Sequence, residues 1–135
     1  MLQQLQSISN KSTRGHINGA SKDDGAKLII YTSHGSENQK FRITRVGDNK
    51  YTIQCVHLGK YWKSSGTKGS VLTQSSTDNS AIFTIIKQAD GNHRIMDSKG
   101  FYVGISGANM ADGTNVILWT EASDASQAYL FEKIE

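Results

Sequence analysis

The apolar residues of the chain occur in short runs of three to seven positions that alternate, or nearly alternate, with polar ones, such as KLIIY, FRITRV, KYTIQCV, FTII, FYVGI and VILW. Runs of this length and period, rich in β-branched and aromatic residues, are typical of strands. Turn signals such as GDN at 47–49 and DGN at 90–92 separate the runs and supply the positive φ angles that hairpins need. Since no segment offers a capped amphipathic helix, the pattern predicts an all-β protein.

The pattern also repeats along the chain. DGAKLIIYTSHGSENQKF at 24–41 aligns without a gap on DGTNVILWTEASDASQAY at 112–129. A weaker copy, GSVLTQSSTDNSAIF at 69–83, places Leu72 at the position of Ile30. Extending the alignment towards the N-terminus makes His16, Lys63 and Gly104 equivalent. The repeats predict three units of about 42 residues, spanning 1–48, 49–91 and 92–135.

Three units of about four short strands each cannot bury their apolar faces alone and must close on one another. Closure about a pseudo-threefold axis predicts a β-trefoil, a single domain over 1–135. A three-bladed propeller has the same number of strands but is less favoured, because propellers typically have about four blades or more. The positions predicted to point into the core are Ile30, Leu72, Leu118, Ile53 and Ile95, with Trp62 as core or barrel lid.

Composition and charge restrict the classes of function that fit the chain. The net charge is +3, but the 15 lysines and arginines are scattered among acidic residues, which argues against a nucleic-acid surface. No apolar run is long enough for membrane insertion or a signal peptide, so we expect a cytoplasmic protein or one secreted by a route without a signal peptide. The lone Cys55 is predicted to be a buried apolar residue.

The sequence offers little for catalysis. It contains no defensible Ser-His-Asp or Cys-His spacing, no cluster of metal ligands and no carboxylate pair on a predicted rigid element. We therefore expect a binding protein that is not an enzyme and that uses neither a metal nor a cofactor.

The Asp-Gly turn, the apolar-aromatic strand after it and the closing Gln-x-aromatic resemble the repeat of ricin-B-type (R-type) lectins over essentially the whole chain. The closing motif is softened to Gln39-x-Phe41 and Gln127-x-Tyr129, and its glutamine is lost before Phe83. The resemblance implies a carbohydrate-binding lectin or hemagglutinin whose partners are cell-surface glycans containing galactose or N-acetylgalactosamine. It also implies that the three closing aromatics belong to the core.

In the family, each sugar site combines an aromatic platform, an amide before the closing motif and an acidic residue from the first hairpin. The first unit matches with Tyr31 and Asn38, but His16 takes the place of the acid. HINGA at 16–20 also resembles the His-Pro-x-Gly-Gly motif of mussel galactose-binding trefoil lectins. The third unit offers a second platform. The predicted sugar-binding residues, with the first unit preferred, are His16, Gly19, Tyr31, Asn38, Asp112 and Trp119.

One alternative of another class stays open. The second unit, with GKYWKSSG at 59–66, is similar to the repeat of fascin and hisactophilin, which are actin-binding trefoils. A monosaccharide site is expected to bind only in the millimolar range, so useful avidity requires several sites or a homodimer. The sequence leaves the exact sugar and the oligomeric state open.

Overall fold

The computed structural model describes residues 3–10, 16–18, 27–31, 39–56, 59–75, 81–108, 111, 113–121 and 127–133. For residues 3–5, 7, 10, 16–18, 108 and 133 only the backbone is described. Twelve strands form one antiparallel sheet. They are β1 (Gln3–Asn10), β2 (His16–Asn18), β3 (Ile29–Tyr31), β4 (Phe41–Gly47), β5 (Lys50–Cys55), β6 (Tyr61–Lys63), β7 (Thr73–Ser75), β8 (Phe83–Lys87), β9 (His93–Met96), β10 (Tyr102–Ile105), β11 (Val116–Trp119) and β12 (Tyr129–Lys133).

Six strands close into a barrel. Going round it, β1 pairs with β4, β4 with β5, β5 with β8, β8 with β9, β9 with β12, and β12 with β1. Ile8, Ile53 and Ile95 take equivalent inward positions and are at most 1% exposed. Closure leaves the barrel without a free edge, because every strand has a neighbour on both sides.

The other six strands form three pairs, β2–β3, β6–β7 and β10–β11, that cap one end of the barrel. Three backbone hydrogen bonds join them in a ring. The N–H of Leu28 donates to the carbonyl of Leu72 at 2.8 Å, Leu72 to Val116 at 2.8 Å, and Val116 back to Leu28 at 3.0 Å. This cyclic pattern marks a pseudo-threefold axis, so the prediction of an all-β trefoil with three pseudo-repeats is confirmed.

The ring also corrects the alignment of the second unit. Leu72 corresponds to Leu28 and Val116, and not to Ile30 as the sequence predicted. From this position the closing aromatic lies 13 residues on at Phe41 but 11 residues on at Phe83, so the second unit is two residues shorter there. The alignment was wrong because a slip of two residues keeps a strand pattern of period two in phase.

The predicted core is otherwise confirmed. Ile30, Leu72, Leu118, Ile53 and Ile95 are all buried, as is Cys55. Deeper in the cap, Trp62 is 1% exposed and packs edge-on against Phe41 and Phe83, with ring centroids 5.6 and 5.7 Å away.

The third closing aromatic is held by a hydrogen bond as well as by packing. Tyr129 is fully buried, and its hydroxyl donates to the carbonyl of Val103 at 3.1 Å. Burial raises the pKa of this hydroxyl well above its usual range. The three closing aromatics are therefore structural, as the family resemblance implied.

Gln74 is an exception to the apolar core. It is 0% exposed at a position where the other units carry Ile30 and Leu118, and it lies opposite Trp62 in the β6–β7 ladder. Neither its Nε2 nor its Oε1, nor the Nε1 of Trp62, has a hydrogen-bond partner in the part of the chain that the structure describes. An unpaired buried polar group costs about 1 to 3 kcal/mol.

Replacing Gln74 with leucine should therefore stabilise the protein by about 1 to 3 kcal/mol. The change removes the unpaired polar atoms of the amide and puts an apolar side chain at this position, as in the other two units. Urea unfolding followed by circular dichroism measures the change. As a reference, Leu118→Ala should destabilise by about 2 to 5 kcal/mol. A Gln74→Leu variant less stable than the parent would show that the amide makes favourable bonds in solution.

Candidate functional site

The first predicted site lies on the β2–β3 pair. The ladder places His16 directly opposite Tyr31, and residues directly opposite each other share one face of a sheet. The side chain of Tyr31 is 41% exposed. Gly19 and Asn38 lie outside the described residues, as does the side chain of His16. The structure thus brings two of the four predicted first-unit positions together on a rigid backbone.

The ladders also correct the equivalence predicted for His16. Tyr102 lies opposite Trp119 and Tyr61 opposite Ser75, so His16 corresponds to Tyr61 and Tyr102. Lys63 and Gly104 instead correspond to Asn18. The loop between the paired strands differs in length among the units, which a gap-free alignment does not detect.

In the third unit, Trp119 is 42% exposed and contacts a loop of the second unit. The Nζ of Lys68 lies 4.6 Å from the centroid of its ring, within cation–π range. The next residue, Gly69, has a φ of +85° and donates its N–H to the carbonyl of Leu118 at 2.7 Å. Lys68 was missed by sequence reasoning, although Lys68-Gly69 stands where the other units have Asp-Gly.

The side chain of Gln127 is hydrogen-bonded to the backbone just after β11, next to Trp119. Gln127 accepts a hydrogen bond from Nη1 of Arg94 at 3.3 Å and donates through Nε2 to the carbonyl of Thr120 at 2.8 Å. The guanidinium of Arg94 also lies 5.7 Å from the ring centroid of Tyr102. The closing-motif glutamine Gln127 therefore holds the backbone next to Trp119.

Asp112, predicted beside Trp119, lies outside the described residues. Its neighbour Gly113 donates to the carbonyl of Ile30 at 2.8 Å, and Ile30 donates to the carbonyl of Thr114 at 3.0 Å. The turn of the third unit therefore packs against β3, the strand that ends in Tyr31. Gly69 bonds to β11 in the same way, so each of these two turns packs against the next unit.

The second unit has no aromatic platform. Ser75 occupies the position of Tyr31 and Trp119, and it is 8% exposed.

Two negative findings concern the described part of the chain. None of its His, Cys, Asp and Glu residues form a group of three or more that is able to hold a metal ion. No described helix has the length and apolar character needed to cross a membrane.

A comparison of the chain with protein-family models identifies its family. The model of the ricin-type β-trefoil lectin domain-like family matches residues 4–74 and again 47–119. The chain therefore belongs to this family, and the lectin prediction is favoured over the actin-binding alternative. No curated protein matches the chain significantly.

Solved structures support the fold. ThreeFoil, a designed threefold symmetric protein, has a TM-score of 0.87 and 22% identity, over 96% of this chain and 99% of that one. The Rhizoctonia solani agglutinin has a TM-score of 0.85 and 23% identity, over 99% and 97%. A ricin B-like lectin of Macrolepiota procera, solved with lactose, has a TM-score of 0.85 and 20% identity, over 97% and 96%.

The contact between Lys68 and Trp119 can be tested by fluorescence, because the other tryptophan, Trp62, is buried. Removing the lysine side chain uncovers the ring, so Lys68→Ala should increase acrylamide quenching of tryptophan emission. Trp119→Phe supplies the control, since it should leave only the weakly quenched emission of Trp62. Equal quenching in the parent and Lys68→Ala would show that Lys68 does not cover the ring in solution.

Proposed function

We propose that the protein is a carbohydrate-binding lectin without an enzymatic activity of its own, and that it recognises glycans ending in galactose or N-acetylgalactosamine. The observation that carries the proposal is a half-exposed aromatic at the end of a rigid cap strand in two of the three units, Tyr31 and Trp119. Membership of the lectin-like family supports it, and the lactose bound by the Macrolepiota lectin supports the choice of sugar.

The chemistry of a hexose fits such a position. One face of a galactose ring is a patch of C–H groups that stacks on an aromatic ring, while its hydroxyls need donors and acceptors at fixed positions. Tyr31 supplies the ring, and His16 opposite it supplies a nitrogen able to donate or accept. Because both positions belong to one ladder, little ordering is required on binding.

We infer that Asp112 serves this first site and not the site of Trp119. The family's hairpin carboxylate is absent from the position of His16, whereas Gly113, the residue after Asp112 in the sequence, is hydrogen-bonded to the carbonyl of Ile30 in β3. A carboxylate near Tyr31 would accept hydrogen bonds from vicinal sugar hydroxyls. The corresponding residue in the second unit's turn is Lys68, which leaves Trp119 with a cation instead.

The site of Trp119 is proposed as the weaker of the two. A sugar that stacks on the ring face under Lys68 must displace the ammonium group, and breaking this cation–π interaction costs about 0.5 to 1 kcal/mol at an exposed position. Two weak sites on one molecule, or on a homodimer, still give avidity on a surface that carries many glycans.

Substitution of the platforms tests the proposal and ranks the sites. Tyr31→Ala should weaken the binding free energy for galactosyl beads by about 1 to 2 kcal/mol, because it removes a stacking surface. Trp119→Ala should weaken it by less, because the site of Trp119 is the weaker of the two. Ser75→Ala is the matched control at the position without a platform, and elution with free galactose checks specificity. If Tyr31→Ala and Trp119→Ala both fold and bind like the parent, the platforms are not sugar sites.

The identity of the sugar needs a separate experiment. On a glycan array, we expect signal on terminal galactose and N-acetylgalactosamine and little on mannose or glucose. Signal confined to other sugars would retain the lectin function and overturn the specificity. Asp112→Asn should weaken binding in the parent and in Trp119→Ala alike, since the proposed role of this carboxylate is at Tyr31.

A further inference from the structure

A cavity of about 380 Å³ opens at the end of the barrel. Its lining residues Arg45 and Lys87 are next to the tight turns β4–β5 and β8–β9. The same strands, β4 and β8, begin at the cap with the closing aromatics Phe41 and Phe83. The cavity therefore lies at the far end of the barrel from Tyr31 and Trp119.

The inner part of the cavity is apolar. Three residues line it from equivalent positions, namely Ile43, Ile85 and Phe131. Their ladder partners are the inward-pointing barrel isoleucines, Ile53, Ile95 and Ile8 respectively. Ile43 and Ile85 are 5% and 8% exposed, so little of each side chain meets solvent. A ligand entering the mouth would meet an apolar floor.

The mouth of the cavity is basic. Arg45 and Lys87 each follow a floor isoleucine by two positions, so the alternation of a strand directs both to the interior side. Arg45 pairs with Asp48 at 2.8 Å, whereas Lys87 has no ion pair with any carboxylate in the described part of the chain. Lys87 is thus available to an incoming anion.

A buried polar atom lies in the same wall. His93 lines the cavity opposite Lys87 in the β8–β9 ladder, and its ring meets Phe131 edge-on at 5.0 Å. Its Nδ1 is buried and has no hydrogen-bond partner among the described residues. Burial, and then the charge of Lys87, lower the pKa of His93, against a hydrogen bond with the backbone of Tyr129 that raises it. The neutral form of the imidazole is therefore favoured.

We propose that this cavity binds a small organic carboxylate with an apolar body, the body lying on Ile43, Ile85 and Phe131 and the carboxylate paired with Lys87 at the mouth. Gln6, Asn49 and Tyr51 also line the walls, but the floor formed by Ile43, Ile85 and Phe131 offers no hydrogen-bond partner to the inner hydroxyls of a sugar. Inorganic phosphate leaves the apolar floor in contact with water. An amphiphilic anion satisfies both parts of the cavity, and it does so independently of glycan binding at the cap.

Octanoate is a suitable probe, with acetate as the anion lacking the apolar body and 1-octanol as the body lacking the charge. We expect octanoate to bind the full chain in the millimolar range, on the basis of about 0.3 kcal/mol per heavy atom, and to bind more tightly than either control, by up to about fivefold over 1-octanol. Amide chemical shifts in a ¹H–¹⁵N titration should change around Lys87, His93 and Phe131 and not around Tyr31 or Trp119.

Variants test the role of the cation. Lys87→Met should weaken octanoate binding by up to about fivefold and leave 1-octanol unaffected, because an ion pair at an exposed lysine contributes about 0.2 to 1 kcal/mol. Lys87→Arg should retain binding. Lys63→Met is the matched control, since it removes the same charge from an exposed position on a cap strand.

Retention of glycan binding by Lys87→Met would establish that the two sites are separate. The proposal is overturned if octanoate does not bind, if acetate or 1-octanol binds as well as octanoate, or if Lys63→Met weakens binding as much as Lys87→Met. It is also overturned if the shift changes fall at the cap.

Discussion

The ring of three backbone hydrogen bonds that joins Leu28, Leu72 and Val116 is the constraint on which the rest of the structure depends. Each of these short segments would leave buried amides and carbonyls unpaired if its unit stood alone, and such groups are costly to bury. Joined in a ring, they satisfy one another and bury three apolar side chains on the axis. The ring also holds the turn of one unit against the strand of the next, as Gly69 and Gly113 do.

The shared frame carries three unequal positions. Tyr31, Ser75 and Trp119 occupy one position in three units, yet the first is a half-exposed ring, the second has no ring and the third lies under Lys68. The charge beside Trp119 comes from the turn of the preceding unit, so this position is composed of residues from two units. Divergence in one repeat therefore alters the surroundings of a residue in another while the barrel remains the same.

Local sequence was sufficient to predict much of this protein. The all-β class, the trefoil and the burial of Trp62 and Cys55 follow from the period of the apolar residues and from repetition, and the burial of the closing aromatics was implied by the family resemblance. Gln127 also makes its bonds within its own unit, to Arg94 and Thr120. These features depend on contacts that every unit makes in the same way.

The alternating apolar residues and their repetition along the chain were enough to specify a three-unit β-trefoil with an apolar core, since burial of alternating side chains is encoded residue by residue. The folded chain alone reveals the true register of the units, the contact of Lys68 with Trp119 and the convergence of Lys87 and His93 at the barrel mouth. A two-residue change of loop length leaves a period-two pattern in phase, so the sequence pattern does not reveal it. Contacts between units arise from closure about the axis, which brings together residues far apart along the chain.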